Sequence, residues 1–255
     1  MAIIHMEALE MAGRIIMENG GETYRVEETV TRMGRAFGLK EVESFAVPSG
    51  VFVSFCKENG TTETAVVRVR RKGTNLTRVD EVNRVSRMVE QEGMTVEEAH
   101  ARLKEIEQTP PALTRPMLLV AAAVGSAGFA LMFGGDWIDF LVALVTGAIG
   151  QMVAFWIEQS SIKGMASTLT GSFVVSALPM LFHLLTGLGN VDPLVAGTLM
   201  PLLPGLAMTN AIQDTLRGDM VSGVAHAMQA LLTAALVAAG ALMAVALFRM
   251  LGGAA

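Results

Sequence analysis

Five stretches without a charged side chain dominate the second half of this 255-residue sequence: 116–135, 140–157, 164–191, 193–213 and 220–248. A helix needs about 20 apolar residues to cross the hydrocarbon core of a bilayer. Inside lipid every backbone polar group must be bonded within the segment, so spanning segments of this kind are helical. The pattern predicts five transmembrane helices, at about 117–134, 137–157, 166–186, 193–212 and 222–248. Buried helices of a soluble protein would not repeat at this length.

Charge is distributed to match. Residues 1–115 hold 16 of the 19 Lys and Arg and 18 of the 24 Asp and Glu. Neither half has a basic excess, which disfavours nucleic-acid binding through phosphate neutralisation. The start, Met1-Ala-Ile-Ile-His-Met-Glu7, has no basic opening and no unbroken apolar run, so no signal peptide is expected. Lys163 and Arg217 fall in the second-to-third and fourth-to-fifth links, and the opposite links carry no Lys or Arg. That bias predicts a cytoplasmic N-terminus and an outside C-terminus, with only Arg249 dissenting. Trp137 and Trp156 suit the aromatic belts at the two ends of the second span. Asp139, close to that span's outer end, reads as a solvated helix start, and Glu158 as its cytoplasmic boundary.

The first part reads as a small α+β domain over 1–110, followed by a Pro-rich linker at 111–116 and the membrane domain at 117–255. Apolar spacing predicts helices at 3–19 and 22–37, then at 79–91 and 95–107, the last opened by the capping box Thr95-Val-Glu-Glu98. Between them lie strands at Val42–Val47, Val51–Cys56 and Thr61–Arg70, with turns at Pro48-Ser49-Gly50 and Glu58-Asn59-Gly60. Cys56, the single cysteine, reads as a core residue. No metal set and no cofactor are expected.

Three motifs stand in order along the chain: Gly20-Gly21-Glu22-Thr23-Tyr24-Arg25-Val26-Glu27; Val47-Pro48-Ser49-Gly50-Val51-Phe52-Val53-Ser54; and Met200-Pro201-x-x-Pro204-Gly205-x-x-x-Thr209-Asn210-Ala211-Ile212-x-Asp214 with Gly218-Asp219. Together they resemble the threonine/serine exporter family. The resemblance implies an inner-membrane exporter of small carboxylate-bearing metabolites, whether threonine and serine or a C4 dicarboxylate such as succinate. Because the sequence stops at 255, it is more similar to the larger subunit of split members, which implies a second, smaller membrane subunit as partner. A second copy of this chain is the other candidate for the missing half. The resemblance also carries a hydrolase-like alternative, on the Pro48, Gly50 and Ser54 pattern. Ser54 would need a base, and the first domain offers only His5 and His100, so turn and strand is the simpler reading. A non-transporting gating or assembly subunit is the third reading.

The candidate substrate pathway is the fourth span and the loop after it. Pro201 and Pro204 each remove a backbone donor in mid-span, and Gly205 follows. Broken helices of this sort form carrier sites, with a half-helix N-terminus directed at an anionic group. Thr209 and Asn210 would bond the substrate's polar end, with Asp214 beyond them; Thr198, Gln151, Thr168 and Thr170 could approach from neighbouring turns and spans. Glu22 and Arg25, with Arg217 and Asp219, form the candidate gate, and Glu18 and Thr29 could join the Glu22–Arg25 face. The plainer alternatives are a kinked packing helix and a solvated helix face. The Ser, Thr and Gly of spans two and three, including Gly147-x-x-Gly150, suit either helix packing or a polar path.

Overall fold

The computed structural model describes residues 2–57, 59–70, 73–159 and 164–251. Lys163 and Glu58, used above for topology and for a turn, lie outside them, as does the side chain of Glu158. The chain forms two compact units. The first combines Met1–Ala112 with Leu206–Met228; the second combines Leu113–Gly205 with Gln229–Ala255.

In the first unit α1 (Ala2–Glu18) and α2 (Thr23–Ala36) precede an antiparallel sheet of β1 (Lys40–Val47), β2 (Gly50–Cys56) and β3 (Thr62–Arg68), in that order. Helices α3 (Leu76–Glu92) and α4 (Val96–Gln108) follow. The capping box is present: Thr95 Oγ1 accepts from Glu98 N while the Glu98 carboxylate accepts from Thr95 N. Pro48 and Ser49 make the β1–β2 turn, where Val47 pairs with Gly50. A bulge interrupts β1 between Lys40 and Glu43, with Glu41 at φ 50. Period-2 alternation turns Val51, Val53 and Phe55 onto a core shared with Leu9, Ile16, Val26, Val30, Val82 and Leu103. The same alternation corrects the expectation for Cys56. It falls on the outward parity with Phe52 and Ser54 and is only half-buried.

Among the described residues four helices are long and apolar enough to span a membrane: α5 (Arg115–Met132), α6 (Trp137–Gln159), α7 (Met165–Thr186) and α10 (Met220–Met250). A broken pair, Val191–Leu202 with Gly205–Leu216, passes the same test together and would make a fifth. The pair comprises α8 (Val191–Leu199), a 3-10 turn at Met200–Leu202, and α9 (Gly205–Leu216). The break has a local cause. The residue before a proline is driven out of the helical region, and Leu203, before Pro204, sits at φ −70, ψ 140. By contrast Pro179 stands alone inside α7 without ending it.

The second unit is built on small contacts. A Cβ on Gly147 would come within 2.6 Å of Ser126 Oγ in α5, one on Gly150 within 2.8 Å of Val175 in α7, and one on Gly197 within 2.7 Å of Ser126 O. Gly147-x-x-Gly150 therefore serves close packing, one glycine to each neighbouring helix. Large apolar side chains such as Val120, Leu141, Leu185 and Leu242 face outward. Asp139 departs from its expected solvation: it is fully buried and accepts from Asp136 N, Asn190 N and Asn190 Nδ2. Tied this way it joins the start of α6 to the turn before α8. Trp137 and Trp156 are exposed.

Candidate functional site

The tight connection between α9 and α10 brings polar residues together in the first unit. Gly218 adopts φ 88 in the turn, and Asp219 N donates to Asp214 O at 2.9 Å. Gly223 lets the two helices close, since a Cβ there would lie 2.3 Å from Thr215 Oγ1. This closure sets Asp214, in the last turn of α9, against His226, in the second turn of α10. Asp214 Oδ2 and His226 Nδ1 are 2.9 Å apart. Asp214 is 0% exposed and His226 8%.

Helix α2 contributes the other side of the cluster. Thr23 Oγ1 lies 2.8 Å from Asp214 Oδ1 and 2.9 Å from Asp219 Oδ2. Asp219 Oδ1 accepts from Ser222 N at the start of α10, and Ser222 Oγ donates to Ala46 O in β1. One turn beyond Thr23, Glu27 Oε1 accepts from Ala46 N at 2.9 Å. Burial pushes the Glu27 carboxyl above its ordinary value, the Ala46 amide opposes this, and the charges of Asp219 and Asp214 add to the rise. Asn210 Nδ2 donates to Gly20 O, so the first motif (20–27) and the third (210–219) meet here through named bonds, together with Ala46 of β1, just before the second motif.

The expected gate residues flank this cluster. Glu22 and Arg25 pair at 2.8 Å, and the Arg217 guanidinium lies over the Tyr24 ring at 3.6 Å. Glu18 and Thr29 do not join them: Glu18 pairs with Arg14, and Thr29 Oγ1 donates to Asn83 Oδ1. Thr209 is on the exposed side of α9. His226 is the residue that sequence reasoning missed. Its signal was present in the polar spacing Asp219, Ser222, His226 and Gln229, which marks one face at the start of an otherwise apolar helix.

In the second unit Pro201, Thr198 and Gln151 line one small cavity with Ser126, Gly147 and Gly150. Its volume is about 20 Å³, room for one water molecule. Thr198 Oγ1 donates to Leu194 O and Val195 O of its own helix. Ser126 Oγ has no hydrogen-bond partner among the described residues. Thr168 and Thr170 do not line this cavity; Thr170 Oγ1 bonds back to Ala166 O. Ser54 Oγ sits 2.9 Å from Thr64 Oγ1 on the outer face of the sheet. His5 stands edge-on to Phe37, and His100 lies 3.7 Å from Glu7.

The residues gathered around Asp214 lie within the range over which the chain is similar to known proteins. The family model described as "Putative threonine/serine exporter" matches residues 7–248. The "Probable threonine/serine exporter" of Mycobacterium tuberculosis is 24% identical over 88% of this chain and 42% of its own length. The "Probable succinate transporter subunit YjjP" of Klebsiella aerogenes is 25% identical over 86% of this chain and 85% of its own. The protein of that name in Escherichia coli is 25% identical over 94% and 93%. The chain thus spans less than half of the first relative and most of the other two. No solved structure matches. With the match running through every motif described, the chain belongs to the threonine/serine exporter family.

Proposed function

We propose that this chain is a subunit of an inner-membrane exporter for small carboxylate-bearing metabolites, working with a second, smaller membrane subunit. The observation that carries the reading is the family match over residues 7–248, in a chain whose apolar helices include one broken at Pro201-x-x-Pro204. The two relatives named as transporter subunits, matched over most of their length, support a partner. Their names point to succinate, and the M. tuberculosis relative's to threonine and serine. All three substrates carry a carboxylate, which a half-helix N-terminus suits.

In this reading the chain crosses the membrane five times, with the broken pair as one crossing, and its N-terminus is cytoplasmic. Pro201, Pro204 and Gly205 supply the break, and Thr209, Asn210 and Asp214 follow along the substrate pathway. Glu22, Arg25, Arg217 and Asp219 form the gate.

Efflux of labelled succinate, threonine and serine from proteoliposomes tests this directly. Flux of one of these substrates is expected with both subunits and not with either alone, and Asn210→Ala and Pro204→Ala are expected to abolish it at normal abundance. No flux of any of the three, or full flux from the partner alone, overturns the reading. Normal flux in both variants moves the pathway elsewhere.

A further inference from the structure

A hydroxyl group has one hydrogen to give, and Thr23 Oγ1 stands within hydrogen-bond distance of two carboxyl groups, Asp214 and Asp219. An ionised carboxylate only accepts. If both were ionised, the single Thr23 hydrogen would have to be shared between two carboxylate oxygens, with each bond weakened. Both contacts are satisfied when one carboxyl carries a proton of its own.

The surroundings favour the same arrangement. Asp214 is fully buried, and a like charge close by disfavours ionisation of both members of a pair. From α2, Glu27 adds a third acid, itself held above its ordinary value by burial. Glu22 and Arg25 answer each other, and Arg217 of α9 lies over the Tyr24 ring. Strand β1 offers only the Ala46 backbone, and α10 offers Ser222 and His226. Among the described residues no Lys or Arg pairs with either aspartate. His226 is the one basic side chain bonded to the pair.

We propose that Asp214 and Asp219 bind one shared proton through the Thr23 hydroxyl, with His226 at the buried end. In one arrangement Asp219 holds the proton and donates it to Thr23 Oγ1, Thr23 donates to Asp214 Oδ1, and His226 Nδ1–H donates to Asp214 Oδ2. In the other arrangement Asp214 holds the proton and the two Thr23 bonds reverse. Passing the Asp219 hydrogen to Thr23 Oγ1 while the Thr23 hydrogen goes to Asp214 Oδ1 converts one into the other. One proton is transferred from the part-exposed carboxyl to the buried one, and no electrons change hands. The loaded site fastens α2 to the α9–α10 turn; removing its proton leaves two carboxylates competing for one hydroxyl hydrogen. Nothing in this proposal depends on which metabolite is exported.

Infrared spectroscopy of the full chain in bilayer nanodiscs tests it without any transport measurement. The wild-type protein is expected to show the C=O stretch of a protonated carboxylic acid at neutral pH, shifted in D₂O and lost as the pH is raised. Asp214→Asn and Asp219→Asn, whose amides can still bond Thr23, are each expected to abolish that absorbance. Glu27→Gln and Thr23→Ser are expected to retain it. A wild-type spectrum with no such absorbance at neutral pH overturns the proposal. So does an absorbance that persists in both aspartate variants, or one that disappears in Glu27→Gln.

Discussion

Two threonines show how differently the two units handle buried polar groups. Thr23, in the first unit, spends its hydroxyl on two carboxyl groups about 190 residues away, 191 and 196 positions on along the chain. Thr198, in the second, returns its hydroxyl to the carbonyl four residues back. Thr146, Thr170 and Thr186 do the same. A hydroxyl bonded to its own helix is satisfied before any tertiary contact forms, and it leaves helix association to close packing. A hydroxyl bonded across the fold is a tertiary tie, and its loss is felt by every partner. In the second unit, among the described residues, Asp139 with Asn190 and Ser172 with Leu236 O make such long-range ties.

The largest effect expected is on the tied side. His226→Ala leaves buried Asp214 without its imidazole hydrogen bond, at about 1–3 kcal/mol, and adds the cost of the cavity left behind. Chemical unfolding in detergent would measure it, and a loss below 1 kcal/mol would break the contrast. Next comes the packed side. Gly240→Val would place a Cβ 2.0 Å from Ser172 Oγ and 2.6 Å from Leu169 O, so the helices must part, at about 1–3 kcal/mol. The same unfolding assay reads this loss.

The matched pair sharpens the comparison further. Thr23→Val is expected to cost about 1–3 kcal/mol, as buried acceptors lose their donor. Thr198→Val is expected to cost about 0.6 kcal/mol or less. Equal losses in the two variants would show that the Thr23 bonds are no stronger a tie than a helical back-bond. The smallest effect concerns pH. The folded chain holds the Glu27 carboxyl above its ordinary value of 4.5, so it binds that proton more tightly than the unfolded chain does. The stability this contributes below pH 4.5 is lost as the pH rises through the folded value. Glu27→Gln should flatten that part of the stability–pH curve, and an unchanged slope would remove Glu27 from the account.

Local chemistry was readable in the sequence and distant partners were not. The capping box at Thr95 and the break before Pro204 each depend on residues within a turn of one another, and both were expected where they occur. Cys56 was misjudged because an apolar stretch in a strand conceals which parity faces the core. Asp139 reads as solvated in the local sequence because Asn190, which bonds it in the fold, stands 51 positions later. The cluster around Asp214 was half visible. Asn210, Asp214 and Asp219 stood out as polar residues beside a broken apolar helix, and Thr23 lay in a motif of its own. Nothing local joined the two sets, and a single histidine in an apolar helix resembles a core residue until Asp214 is placed beside it.

The first unit is assembled from two stretches of chain that are made at different times. Thr23, Glu27 and Ala46 leave the ribosome early, within Met1–Ala112, whereas Asp214, Asp219, Ser222 and His226 come only after all of Leu113–Gly205 has been made. An interrupted product ending inside that intervening stretch therefore has the early half of the cluster and none of its late partners. The unit's completion marks how far synthesis has gone, and a chain cut short there leaves Thr23 without the carboxyl groups that Asp214 and Asp219 supply.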